Sequence, residues 1–360
     1  MVSTNRRDNI WALQSMRGGF CVLRILAHWA TPVFGVMAAL FTAPLPGFAA
    51  EMGRAPVSSG TYVTGEGGYG FLDGDGIIGH GISPTGVLAD PSSDTSVNAR
   101  DGWFAGGSIG FAALSAIFAG LPVSRVEAYI TYDDADSSRT DTLANPARTT
   151  LKSVDGSALG VVGFTATSSV ERRNYDGGVR FAFDQMTGPA SSVSWVLTPF
   201  VRNSDETASS VASGTVDTAW RNADVETWSY GVTAAAEPEV WLTPSFALVG
   251  RLGAGIYGYR ASGDFQSASS APAPDPFSAS VSESETGVGF RGQLGAGLKF
   301  RLAPSVILTG FAEADYFSAV GSARLPDNQF GSAATSRVET ADEWDLRGGV
   351  RVSVGLSGHD

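Results

Sequence analysis

The stretch Thr286-Gly-Val-Gly-Phe290-Arg-Gly-Gln-Leu294-Gly-Ala-Gly-Leu298-Lys-Phe300-Arg-Leu302 alternates without a break. Val288, Phe290, Leu294, Leu298, Phe300 and Leu302 share one parity with Gly292 and Ala296. Arg291, Gln293, Lys299 and Arg301 share the other with Gly289, Gly295 and Gly297. Successive side chains of a β-strand point to opposite faces, so this is a strand with one apolar face and one polar, glycine-rich face. The last segment repeats the design, with Trp344, Leu346, Val350, Val352 and Val354 set against Asp345, Arg347, Arg351 and Ser353. A third instance places Val126, Ala128 and Ile130 opposite Arg125, Glu127 and Tyr129.

Extending this period outward predicts an all-β chain of ten strands, with eight or twelve as the alternatives. They lie near 61–72, 102–118, 124–133, 172–184, 192–203, 226–237, 245–260, 286–301, 305–318 and 343–357, and 157–167 is read as a hairpin inside a loop. The second strand is the weakest, because alternation stops at Ala112. The run Trp103 to Ser124 carries no charge and is long enough for a membrane helix. Gly106, Gly107, Gly110, Gly120 and Pro122 argue against one.

The connections alternate in length. Links after even-numbered strands are short and contain Pro122, Pro189, Pro238 with Pro244, and Pro304; links after odd-numbered strands are long and polar. Charge follows the same division: 73–100, 133–171, 203–225, 260–285 and 319–343 hold 22 acidic and 8 basic residues. One aromatic residue stands near the long-loop end of each strand: Phe71, Trp103, Tyr132, Tyr175, Phe200, Trp228, Tyr257, Phe290, Tyr316 and Trp344. Short turns on one side, long loops on the other and a belt of amphipathic rings are expected of an antiparallel up-and-down transmembrane β-barrel. In hydrocarbon every backbone N–H and C=O needs an internal partner, which strands achieve only by closing into a ring.

Residues 1–50 read as a cleaved export signal. Arg6, Arg7, Arg17 and Arg24 precede an apolar run from Ala30 to Phe41, and Gly47 and Ala49 supply the small residues of a cleavage site. Residues 51–60 then form a periplasmic linker and 61–360 the barrel. Removing the signal leaves 20 basic and 35 acidic residues and no cysteine, since Cys21 is the only one. The acidity excludes a nucleic-acid partner, which needs a basic face, and the missing cysteines exclude disulfide frameworks.

In this architecture the chain resembles the Gram-negative outer-membrane β-barrel superfamily: small barrels, OmpA-like or omptin-sized, with distant similarity to autotransporter translocator barrels. The closing strand matches that superfamily's assembly signal at Arg347, Gly349, Val352 and Val354, while the chain runs on to Asp360 instead of ending on an aromatic residue. The resemblance implies outer-membrane location, contact with lipid and lipopolysaccharide, and insertion by the barrel-assembly machinery. Omptin proteases imply an Asp pair and an Asp-x-His dyad. Asp133-Asp134 mimics the pair, but no Asp-x-His occurs.

Barrel hydrolases mostly depend on a histidine beside a carboxylate or serine. Only His80, after Asp73 and Asp75, and the penultimate His359 are present after the signal. No catalytic residue, metal site or cofactor is therefore expected. The strand register instead predicts a lumen network of Glu66, Arg125, Glu127, Asp176, Arg180, Asp184, Glu237, Arg251, Arg291, Lys299, Arg301, Glu313, Asp315, Asp345, Arg347 and Arg351, balanced in sign. Balance favours a plugged lumen with a structural or surface-interaction role for an unidentified surface ligand; an ion-selective pore is expected to show one sign. A narrow cation-preferring porin is the first alternative, an autotransporter-like barrel or barrel hydrolase the second.

Overall fold

The computed structural model describes residues 60–74, 99–112, 117–118, 121–142, 149–155, 158–161, 163–214, 218–270, 277–325 and 335–356. Its strands are β1 (Gly60–Gly74), β2 (Ala99–Ala112), β3 (Ile117–Phe118), β4 (Leu121–Pro122), β5 (Arg125–Thr142), β6 (Thr149–Lys152), β7 (Ala158–Val161), β8 (Gly163–Gly188), β9 (Ser191–Gly214), β10 (Thr218–Thr243), β11 (Phe246–Ser269), β12 (Phe277–Ala303), β13 (Val306–Arg324) and β14 (Arg337–Gly355). Ten of them pair antiparallel with their sequence neighbours, and β1 pairs with β14 to close the ring; β3–β4 and β6–β7 are separate two-stranded hairpins. Where all ten strands pair, closure leaves no open edge; above Arg291, β12 pairs with β11 alone.

Most strands are longer than the alternation of hydropathy indicates, chiefly toward the long-loop side, while β8 and β10 also run on to Gly188 and Thr243 at the short-turn side. Segments read as loops, such as 203–214, 218–225 and 277–285, continue the ladder. There Ser, Thr, Ala and Asp occupy both faces, so period two is present in the backbone without contrast in hydropathy. The second strand stops at Ala112, and Trp103–Ala112 is extended and paired with β1, so the helix alternative is not what this segment adopts. The reading of 157–167 as a loop hairpin holds for β7, which pairs with β6, while 163–167 belong to β8. The two-residue links Pro189-Ala190, Pro244-Ser245 and Pro304-Ser305 are the tight turns that proline pre-sets. Pro238 is a correction: it lies inside β10, at a point where positions 237 and 238 have no partner on β11, so its missing N–H costs no ladder bond there.

Parity decides which side chains face out. Ile109, Phe111, Ile130, Val201, Leu252, Ile256, Val288, Leu298, Leu302 and Val350 are exposed, while Arg172, Arg202, Arg291, Glu206, Glu343 and Asp345 are buried. This reverses the usual globular arrangement. Trp103, Tyr132 and Tyr175 stack side by side along the outer wall, with ring centroids 5.3 and 4.9 Å apart, and Tyr316 meets Trp344 at 4.9 Å. Phe200 and Tyr257 depart from the expected belt: both have inward parity and are buried. A lower level of rings includes Phe111, Trp195 and Phe300. Phe290 and Phe300 are ten residues apart on β12, about 33 Å of strand and about 25 Å of height at a tilt near 40°. That height matches the apolar band of a lipid-spanning barrel.

Inside the wall, aromatic rings lie over glycines of the neighbouring strand. Tyr62 pairs with Gly110, Tyr257 with Gly289 and Tyr259 with Gly287. A Cβ on any of these glycines would meet ring atoms at 2.2–2.8 Å. The polar-face glycines of β12 are therefore seats for rings that a larger side chain would displace.

Candidate functional site

Among the described residues, inward-facing side chains form layers from the long-loop end downward. At the top, Val154 from the β6–β7 hairpin packs with Val170, Val225, Phe265, Leu325 and Val338. Ser153 Oγ lies 2.6 Å from Ser267 Oγ, and Ser336 N–H donates to the Val154 carbonyl at 2.7 Å. These bonds fasten the hairpin inside the ring.

Below that cap lies a buried ionic cluster. Arg172 pairs with both Glu206 and Glu343, and Arg202 reaches Glu343 at 2.6 Å. Glu206 also accepts from Ser322 Oγ and Ala323 N–H, each at 2.9 Å. Burial works against the Arg172 charge, but Glu206 and Glu343 outweigh it and hold the guanidinium above its ordinary pKa. Next come Phe200, Tyr257 and Phe317, with Arg202 stacked 3.9 Å over the Phe317 ring. β13 is irregular between Phe317 and Val320. There the Tyr257 hydroxyl donates to the Ala319 carbonyl at 2.9 Å and accepts from the Ala319 N–H at 3.0 Å. The tyrosine thus replaces the ladder bonds that the bulge removes.

A second ionic layer crosses the middle. Arg291 bridges Asp176 at 2.8 Å and Asp315 at 2.7 Å. Arg347 bridges Asp133 at 2.7 Å and pairs with Asp345. Among the described residues the lower half encloses a cavity of about 450 Å³ lined by residues of the short-turn end. On its wall Arg351 meets Glu66 at 2.6 Å and Glu313 at 3.4 Å. Arg180 meets Glu127 at 2.7 Å, Lys299 pairs with Glu239, and Glu237 lies 3.5 Å from Arg125 and 3.7 Å from Arg251. Asp184 stands at the exposed rim, hydrogen-bonded by Ser194. Arg301 stacks on Trp241 at 4.6 Å.

Every lumen residue named from the sequence therefore has inward parity. Their grouping differs from one continuous network: Asp176, Asp315, Arg291, Asp345 and Arg347 form the middle layer, and most of the others line the cavity. Asp133, Arg172, Arg202, Glu206, Glu239 and Glu343 were not among them. Arg172 and Asn174 continue the parity of Asp176, and Glu343 that of Asp345, so lengthening these strands past their belt residues finds Arg172, Glu206 and Glu343; Glu239 needs β10 lengthened toward its short turn, and Asp133 and Arg202 already have inward parity within the expected strands. Asp133 faces in and Asp134 faces out, so these carboxylates do not converge. His80, His359, the export signal and the linker up to Ser59 lie outside the described residues.

The assembly-signal positions have structural partners. Arg347 belongs to the middle layer, and Val352 and Val354 face outward. Gly349 pairs with Gly68, and the Phe104 ring covers both, 2.7 and 2.9 Å from where their Cβ atoms would stand.

Apolar outside and ionic inside, closed on itself, the sheet has the polarity that lipid demands. The chain is a membrane-spanning β-barrel.

Neither a family model nor a curated protein matches it. Solved structures resemble it in outline. It is similar to the outer membrane protease OmpT from Escherichia coli at 9% identity and a TM-score of 0.41, covering 84% of this chain and 99% of that one. It is also similar to the transport unit of the autotransporter AIDA-I from Escherichia coli (11%, TM-score 0.32, 89% and 98%). A third is the outer membrane protein OprG from Pseudomonas aeruginosa (12%, TM-score 0.23, 84% and 100%).

Above the upper belt the outer wall is acidic, with Glu171, Asp205, Asp224 and Glu226 on adjacent strands. Burial, then Asp224 and Glu226, raise the Asp205 pKa. A carboxyl whose native pKa exceeds its unfolded value makes the native state bind the proton more tightly, so stability falls as pH rises through that interval. Asp205→Asn should therefore raise the unfolding temperature at pH 7 and leave it unchanged well below the unfolded carboxyl pKa. Thermal scans at the two pH values check this.

Proposed function

We propose that this protein is a Gram-negative outer-membrane barrel with a plugged, non-conducting lumen and a structural or surface-interaction role without catalysis. The short-turn end and both termini face the periplasm, and the acidic long-loop end faces outward. One observation carries the reading: the buried Arg172–Glu206–Glu343–Arg202 cluster lies between the apolar cap and the Phe200–Tyr257–Phe317 layer, all within the ring. Ions have no wet path past paired charges that are themselves dry. Lipid and lipopolysaccharide are the partners of the outer wall. The Arg347-x-Gly349-x-x-Val352-x-Val354 run would serve the barrel-assembly machinery through its edge strand before closure.

Planar-bilayer recording of the purified barrel tests the plug. The expected result is no steady conductance above the bare bilayer. Steady cation-selective steps would replace this reading with the narrow porin.

A further inference from the structure

We propose that the cavity at the short-turn end binds a small zwitterion, a ligand with one free ammonium and one free carboxylate such as a short peptide. Its volume of about 450 Å³ falls in the range of small-molecule sites. Most of its charges are committed: Glu127 to Arg180 and the Tyr62 hydroxyl, both at 2.7 Å, and Glu239 to Lys299. Three are not. Arg125 and Arg251 share the single carboxylate of Glu237 at 3.5 and 3.7 Å. Glu313 is the second carboxylate on Arg351, at 3.4 Å, while Glu66 holds that guanidinium at 2.6 Å.

Charge-assisted hydrogen bonds close to about 2.7–2.9 Å when nothing else competes for the donors. The longer distances leave donors of Arg125 and Arg251, and acceptor capacity of Glu313, directed at the cavity. Arg251 Nη2 also donates to Gln293 Oε1 at 3.2 Å, a neutral acceptor that leaves its charge unmatched. The arrangement is thus bipolar: two guanidiniums on one carboxylate, from β5, β10 and β11, and two carboxylates on one guanidinium, from β1, β13 and β14. A ligand carboxylate would complete the first group and a ligand ammonium the second. Trp241, Val249 and Ile307 supply apolar surface for the body between them.

Isothermal titration of the detergent-solubilised full barrel with trialanine, N-acetyl-trialanine and trialanine amide tests the assignment. Trialanine should bind, and each blocked peptide should bind at least tenfold more weakly. Arg251→Gln should weaken trialanine tenfold or more. Glu313→Gln should weaken trialanine while leaving N-acetyl-trialanine unchanged, because that ligand has no ammonium to lose. Glu237→Gln should tighten trialanine, since it removes the competing carboxylate. Heat-modifiable gel migration confirms that each variant is folded, and a variant that fails it is replaced by Arg125→Gln or Glu313→Ala. Absence of trialanine binding, equal binding of the three peptides, or folded variants with unchanged affinity would overturn the proposal. The titration reads binding alone, so its failure is distinct from the appearance of conductance in a bilayer.

Discussion

Glu343→Gln destabilises the barrel by about 3–5 kcal/mol, the cost of breaking a buried ion pair from one side. Glu343 is the acceptor common to Arg172 and Arg202, and all three side chains are almost wholly buried. Its neutralisation leaves Arg172 with Glu206 and leaves Arg202 with no carboxylate at the 2.6 Å contact. Nε and Nη1 of Arg202 already lack partners among the described residues, so the Phe317 ring, 3.9 Å beneath the guanidinium, is the main contact left to offset its desolvation. The measurement is the midpoint of heat-modifiable migration in urea. Adding Arg202→Met to Glu343→Gln should recover much of the loss, because the guanidinium left without its carboxylate is then gone while Arg172 keeps Glu206. A single variant as stable as the parent would show that water reaches this level and that the lumen is wetter than proposed.

Gly289→Val is the second large effect, at about 3 kcal/mol or more, the upper end of overpacking costs. A Cβ at this position would stand 2.3 Å from Cζ of Tyr257, so the ring must leave its seat. The same movement breaks both hydrogen bonds between the Tyr257 hydroxyl and Ala319. The bulge in β13 then loses the partner for its backbone groups, which adds the penalty of buried, unpaired polar atoms. Tyr257→Phe alone removes those bonds but keeps the packing, so it should cost about 1–2 kcal/mol. The double variant Gly289→Val with Tyr257→Ala should fall well short of additivity, because the clash disappears with the ring. Urea midpoints of the four proteins in this cycle check the coupling.

Much of the membrane-level architecture is legible in residue parity. Along 286–302 the split between Phe290, Leu294, Leu298 and Phe300 outward and Arg291, Gln293, Lys299 and Arg301 inward is the split in the folded wall. It is legible because lipid on one face and a crowded polar lumen on the other impose opposite chemistry on neighbouring residues. The extensions beyond the belt were not legible for the converse reason. Water bathes their outer face, and Ser, Thr and Asp serve there as well as inside, so Asp205 and Glu206 differ in orientation without differing in kind. Phe200 and Tyr257 misled because aromatic residues suit both the membrane boundary and the lumen; only counting from Arg202 or Tyr259 shows that they face in. The ionic pairs required knowledge of which strands face one another across the ring, as with Arg347 and Asp133, and no local pattern records that.

β12 continues thirteen residues past Phe290 to Phe277, about 43 Å of strand and about 33 Å of height. The strands β8 to β11 on one side of it are of similar length. The segments at the far end are thus carried on a hydrogen-bonded turret instead of on loose tethers. The spacing of the strand ends is set by the ladder beneath them. Such a mounting lets the tips change composition, lengthen or shorten while still being presented at the same distance from the bilayer, which is useful wherever the face shown to the surroundings must vary and the footing must not.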